Sequence, residues 1–177
     1  MVAALELNLL ELVTAGDWLI RCKLTSRAAL AGYLASSSSR GSAAARPGLA
    51  LLRARVDSPR ETWLRLCLVL AGLPTPDCNP TIQGVRGAGR VDLLFDDFRV
   101  IVEYEGEQHL TDRKQWHKDI DRQEDFGGVG YLTIRVTKEH ARHPRVVVRR
   151  VYEALRRRGY RGPEPVFDER WRSLFEP

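Results

Sequence analysis

The hydrophobic pattern is most informative between Arg90 and Glu105, where the runs Arg90–Phe95 and Phe98–Glu105 are rich in β-branched and aromatic residues and flank Asp96-Asp97. Such runs predict strands, and the Asp-Asp pair predicts the tight turn of a β-hairpin. A two-residue loop sets Asp92 opposite Ile101, and a four-residue loop sets it opposite Glu103. Because side chains alternate along a strand, either register puts Asp92, Glu103 and Glu105 on one face.

Upstream, Leu5–Val13 and about Ser26–Leu34 read as two short helices, the second started by Thr25 or Ser26, with Asp17-Trp18-Leu19-Ile20-Arg21 joining them. Ser36–Ser39 and the following Arg-Gly-Ser-Ala-Ala-Ala-Arg run read either as a flexible linker or as the start of a helix through Leu49–Val56, a choice that Pro47 and Gly48 leave open. Ser58-Pro59-Arg60-Glu61 is a clearer start: Ser58 as N-cap, Pro59 at the first helical position and Glu61 completing a capping box predict a helix to about Ala71. Trp63, Leu66 and Leu70 read as core. After the Gly72-Leu73-Pro74 stop come a strand at Thr81–Gly84, the hairpin, a helical segment Asp112–Phe126 closed by Gly127-Gly128, a strand at Tyr131–Val136 and a helix Pro144–Arg158. The order predicts an α/β or α+β fold with a small mixed sheet flanked by helices. Residues 1–56 form an N-terminal helical segment, 57–162 the main domain, and 163–177 a tail that packs Trp171 and Phe175 back on the core.

A length of 177 residues suits one modest domain, and a net charge of +5 with a pI of about 9.4 points to an anionic partner. The charge has a location: arginines at 142, 145, 149, 150, 156, 157, 158 and 161 face one acid, Glu153. Arg149, Arg150, Arg157 and Arg158 are candidate phosphate contacts without base information; equally, the stretch reads as a solvated face whose arginine stems cover apolar surface. The three cysteines, Cys22, Cys67 and Cys78, form no C-x-x-C pair, which speaks against a disulfide framework and a structural zinc site. Glu6 and Glu11 interrupt the apolar N-terminal stretch, there is no basic leader, and Leu64–Leu73 is broken by Arg65 and too short to span a bilayer. A cytoplasmic protein with no membrane partner is expected; the sequence sets no oligomeric state.

Like charges facing each other on a sheet are destabilising, and a hard divalent cation, Mg²⁺ or Mn²⁺, is the simplest compensation; a solvated sheet edge is the other reading. Phosphodiester hydrolysis needs an activated water and a stabiliser for the charge developing on phosphate and leaving oxygen, and carboxylate-held Mg²⁺ supplies both. Asp92 and Glu103 are the candidate ligands.

Several ordered elements carry a resemblance: Glu61 on a leading helix, Val91-Asp92-Leu93, Val102-Glu103-Tyr104-Glu105-Gly106, Gln108-His109, Asp119-x-x-Arg122 and Leu132-x-x-Arg135-Val136-Thr137. Over Ser58–Arg158 the chain resembles the very-short-patch-repair-like branch of the PD-(D/E)XK nuclease superfamily. The resemblance implies a restriction-endonuclease-like core, Mg²⁺-dependent hydrolysis of DNA, the Tyr104 carbonyl as a further ligand and Glu61 approaching from its helix. Ala15-Gly16-Asp17-Trp18-Leu19 and the helices after it resemble the back half of an abortive-infection type IV antitoxin-like region; in such arrangements a winged-helix segment lies upstream, and this chain begins after that place. The usual superfamily lysine is replaced by Glu105, which reads as a third metal ligand or as a turn-facing acid. Lys118, with Lys114 behind it, is one substitute for the missing cation; His109, preferred here, is a general acid or base near neutral pH. Gln108 is a contact to the site or to a backbone phosphate. Asp119 and Arg122 share a helical face as an ion pair, and the resemblance raises Arg122 to a structural or phosphate contact. His117, His140 and His143 read as surface or capping residues. The alternative to a DNA endonuclease is a catalytically inactive nucleic-acid-binding or regulatory module of a toxin–antitoxin or phage-defence system.

Overall fold

A computed structural model describes residues 6–105, 122 and 124–176. The fold is α+β: among the described residues, four helices precede a mixed sheet and further helices follow. The chain forms two compact units, one extending to Leu66 and the other Cys67–Glu176. The division falls inside a helix, whereas the sequence places a boundary after Val56. Among the described residues no helix is long and apolar enough to cross a membrane.

In the first unit, α1 (Leu9–Arg21) starts at a capping box in which Asn8 and Glu11 satisfy each other's backbone N–H groups. Helix α2 (Arg27–Ser36) starts at Ser26 and α3 (Arg40–Leu49) at Ser39. Two expectations change here. Asp17–Arg21 is the last turn of α1 and not a connector, and Ser39 opens a helix that ends at Leu49 with Pro47 inside it. Tertiary contacts override the weak local propensities of Gly16 and Asp17. A side chain at Gly16 would run into Leu52, so glycine permits this close approach.

Asp17 is the polar centre of the unit. Its carboxylate accepts from the Arg53 N–H at 2.7 Å, the Thr62 hydroxyl at 3.0 Å and the Arg65 guanidinium at 2.7 Å, while Arg65 also donates to the Leu51 carbonyl at 2.8 Å. Both charged side chains are almost wholly buried. Burial pushes the Asp17 carboxyl above its ordinary value, and Arg65, the Arg53 N–H and Thr62 oppose that rise.

Helix α4 (Pro59–Val69) starts as the Ser-Pro-x-Glu pattern predicts: the Glu61 N–H donates to Ser58 Oγ at 3.2 Å. Beyond it, the sheet of the second unit has the order β1 (Asp77–Cys78), β4 (Leu93–Phe95), β5 (Val100–Tyr104), β6 (Leu132–Val136). Its first two pairings are antiparallel and β5–β6 is parallel. A separate two-stranded ribbon, β2 (Thr81–Gln83) with β3 (Ala88–Arg90), takes Arg90 away from the predicted strand. Five short strands thus replace the three expected before the crossover. Residues 124–128 are helical, and the turn comes at Gly130, φ 89°, after the expected Gly127-Gly128 stop.

The rest of the second unit closes the core. Thr137 and His140 form the capping box of α5 (Lys138–Ala141), and His143 is the N-cap of α6 (Pro144–Arg157). Helix α6 packs over β5 and β6. The chain end is a helix too, α7 (Glu169–Phe175), with Trp171 and Phe175 buried and Trp171 Nε1 donating to the Cys67 carbonyl at 2.9 Å. Burial pushes the thiol of Cys67 far up, which suits a core residue and not a nucleophile.

Removing one partner of a buried ion pair strands the other, so Arg65→Met should destabilise the protein by about 3–5 kcal/mol. Adding Asp17→Asn, which keeps an acceptor for the Arg53 N–H without the charge, should recover part of that loss. Urea unfolding of the two variants checks both expectations, and a double variant no more stable than Arg65→Met would remove the pair from the centre of this unit.

Candidate functional site

The hairpin that carries the acids is fixed by its turn. Phe95 pairs with Val100, leaving a four-residue loop built from a 3₁₀ turn, Asp96–Phe98, and Arg99 in the left-handed region at φ 50°. The longer of the two predicted loops is therefore the one that forms. Arg99 is held there by donation to the Val129 carbonyl at 2.6 Å and by stacking 5.6 Å from the Tyr131 ring, whose hydroxyl donates to Asp96 at 3.0 Å.

From this register the two faces of the sheet follow. Leu94 and Ile101 point to the side where Ile82, Val91 and Phe126 complete an apolar cluster, with Tyr131 packed against it. Glu103 and Glu105 are two and four residues beyond Ile101, on the same face, where the apolar cover gives way to charge. Asp92 lies just before β4, and its Oδ2 accepts the Tyr104 N–H at 2.8 Å, which ties it to the Glu103 end of β5.

Each glutamate has an arginine beside it. Glu103 is 13% exposed, and its Oε1 accepts from Arg122 at 2.8 Å; Arg122 also donates to the Arg90 carbonyl at 3.0 Å. Arg135 is the register neighbour of Glu103 on β6 and stands 3.8 Å from Glu105. The expected partner of Arg122, Asp119, lies outside the described residues, as do Gln108, His109, Lys114, His117 and Lys118.

Glu61 belongs to the first unit, where its two carboxylate oxygens accept from the Asp57 N–H and the Ser58 hydroxyl, each at 2.9 Å, the capping role that the Ser-Pro-x-Glu pattern predicts.

The arginines of α6 are not brought to the acids. The face of the sheet left for the buried stripe Val147, Val148, Val151 and Leu155 is that of Val100, Val102, Ile134 and Val136, all buried themselves. The polar side of α6 therefore looks away from the Glu103 face. Several of its arginines also serve the fold: Arg145 makes a two-pronged pair with Glu176 at 2.7 and 2.6 Å, Arg149 lies 6.0 Å from the Phe167 ring, and Arg158 donates to the Gly130 carbonyl at 2.8 Å. Arg157 sits 3.7 Å from Glu153, and Arg150 is half-buried.

As metal donors, Asp92, Glu103 and the Tyr104 carbonyl offer the hard oxygens that Mg²⁺ prefers. Among the described residues no three His, Cys, Asp or Glu side chains converge as a metal-holding group. Mg²⁺ commonly takes one or two protein carboxylates and completes its shell with water and substrate phosphate, so the donor set fits in kind.

Sequence reasoning missed the part of the site that lies in the ribbon. Buried Asp125 accepts from the Arg86 N–H at 2.5 Å and its Nε at 3.4 Å, and the Asp125 carbonyl accepts from the Val85 N–H at 3.4 Å. These bonds pin the β2–β3 turn to the helical residues that follow Arg122. The signal in the sequence was the spacing of Gly84, Gly87 and Gly89 among Arg86 and Arg90: a Cβ at Gly84 would collide with the Asp125 carboxylate, and one at Gly89 would come within 2.8 Å of Phe126.

No family model and no solved structure matches the chain. Two Mycobacterium tuberculosis proteins from different strains, each described as an uncharacterized protein, are 37% identical to it over 87 residues, which is 45% of this chain. The chain spans 32% of the length of these relatives.

Overpacking at a tight contact costs about 1–3 kcal/mol, so Gly84→Ala should lower stability by that amount. Gly87→Ala, where a Cβ meets nothing within 4 Å, should stay within about 0.5 kcal/mol of the parent. Chemical denaturation of the pair makes the comparison; equal stabilities would detach the ribbon from Asp125.

Proposed function

We propose that this protein is a metal-dependent endonuclease-like hydrolase of nucleic acid, acting on DNA, of the very-short-patch-repair-like PD-(D/E)XK type. The observation that carries the reading is the hairpin register: it sets Glu103 and Glu105 on one face, and Asp92 is tied by its carboxylate to the backbone of the same strand end. Mg²⁺ or Mn²⁺ held by Asp92 and Glu103, with the Tyr104 carbonyl, would acidify water and offset the charge that develops on a phosphodiester. The chain's own contribution is to hold these oxygens in place, to balance Glu103 and Glu105 with Arg122 and Arg135, and to supply proton transfer from His109 or a positive charge from Lys118. Cys67 and Cys78, buried as free thiols, agree with a cytoplasmic location.

A second reading rests on a specific observation. Arg122 already pairs with Glu103 and Arg135 lies beside Glu105, which stands where the superfamily has its lysine, so both glutamates have a protein cation next to them. On this reading the protein binds nucleic acid as a regulatory module of toxin–antitoxin or phage-defence type and does not turn over.

Cleavage of plasmid and linear DNA with Mn²⁺ or Mg²⁺ separates the two. The nuclease reading expects nicking or cutting that a chelator abolishes, and expects Asp92→Asn and Glu103→Gln to lose it while unfolding like the parent. Both changes keep an acceptor, for the Tyr104 N–H and for Arg122 respectively. Asp92→Ala removes that acceptor and should cost about 1–3 kcal/mol besides. Chelator-resistant cleavage, or wild-type cleavage by both acceptor-preserving variants, would reject these ligands; binding without cleavage selects the second reading.

A further inference from the structure

The Glu103 side of the sheet has a cationic wall of its own. A pocket of about 250 Å³ opens between the β2–β3 turn and the helical residues beyond Arg122, lined by Arg86, Gly87, Gly89, Arg122, Asp125 and Phe126. Two guanidinium groups line it with one carboxylate, Asp125, whose Oδ1 accepts the backbone N–H of Arg86 and lies 3.4 Å from its Nε. Side chains stay substantially exposed at both arginines, 57% for Arg86 and 40% for Arg122. Arg122 links the pocket to the candidate site, because the guanidinium that lines the one also bonds the Glu103 carboxylate.

We propose that this pocket holds a backbone phosphate of the nucleic-acid strand that passes Glu103, and that the β2–β3 turn, not the arginine face of α6, positions the strand. The inference rests on the nucleic-acid reading above and adds to it the element that does the holding. Guanidinium groups match phosphate oxygens in geometry as well as charge. Glycine at position 87 leaves its backbone open to an approaching phosphate, since nothing lies within 4 Å of where its side chain would start. The turn stays put while doing so, because Asp125 anchors its backbone from below. The arginines of α6, by contrast, lie on the side of the sheet away from Glu103 and attract polyanions without placing a phosphate at the acids.

Fluorescence anisotropy with a labelled DNA duplex, in EDTA to prevent turnover and over a range of salt, tests this with Arg86→Gln and Gly87→Val. Thermal unfolding of each variant is run beside it. The pocket should lose one phosphate contact in either variant, so both should bind several-fold more weakly, and the slope of log affinity against log salt should fall by roughly 0.7–0.9. Gly87→Val leaves the net charge unchanged, so its effect reports occupied space and not general attraction. Wild-type affinity and slope in Gly87→Val would overturn the pocket even if Arg86→Gln binds weakly, and so would a parent protein that binds no DNA. The two proposals fail separately: metal-dependent cleavage with unaltered binding by both variants removes the pocket alone, whereas pocket-dependent binding without cleavage removes the nuclease reading alone.

Discussion

Everything on the Glu103 face depends on the turn at Arg99. A left-handed backbone at a residue other than glycine is unfavourable by roughly 1 kcal/mol or more, and here the guanidinium bond to Val129 and the stacking on Tyr131 offset it. The reward is the register. A slip of one residue in the β4–β5 pairing would send Glu103 to the face of Val102, into the apolar layer, and would bring Val102 out beside Arg122. Because Tyr131 immediately precedes β6 and its hydroxyl holds Asp96, the same turn also fixes where the parallel strand begins. Arg135 is thereby set beside Glu103.

The first unit is organised by a different physical device. Asp17 gathers α1, the chain around Leu51–Arg53 and α4 through hydrogen bonds that an apolar contact would not specify. Among the described residues Arg65 Nε is a buried donor with no hydrogen-bond partner, so the network is not fully satisfied there. Such a pair stabilises little relative to well-packed apolar residues, yet loss of one partner leaves the other charge buried and uncompensated. Gly16 beside Asp17 belongs to the same arrangement, since it lets Leu52 come close enough for the following N–H to reach the carboxylate.

The sequence was most legible where local chemistry and tertiary contacts agree. Ser26 and the Ser58–Glu61 box start their helices as their side chains predict, and the hairpin forms with one of the two loops that alternation allowed. It was least legible where a residue's role is decided by something distant in the chain. Asp17 reads as part of a connector until Arg65 is placed against it, and Gly127-Gly128 reads as a stop although the reversal is made by Gly130. The candidate site divides in the same way. Alternation alone grouped Glu103 with Glu105. Nothing in the spacing showed that Arg122 would bond Glu103, or that the glycines of the β2–β3 turn fit around Asp125 and Phe126, because both depend on a crossover and not on neighbours in sequence.

The buried indole of Trp171 bears on how the second unit is made. Its N–H is bonded to Cys67 near the unit's beginning, and Phe175 and the Arg145–Glu176 pair close over the same end. During synthesis the acids, the ribbon and the sheet emerge well before the helix that seals them. The nascent chain therefore carries the Glu103 face on an open core, with apolar surface uncovered until residue 175 has left the ribosome. Domains fold as units and exposed cores aggregate, so the interval between Val136 and Phe175 is the stretch of translation in which this protein has most need of a chaperone.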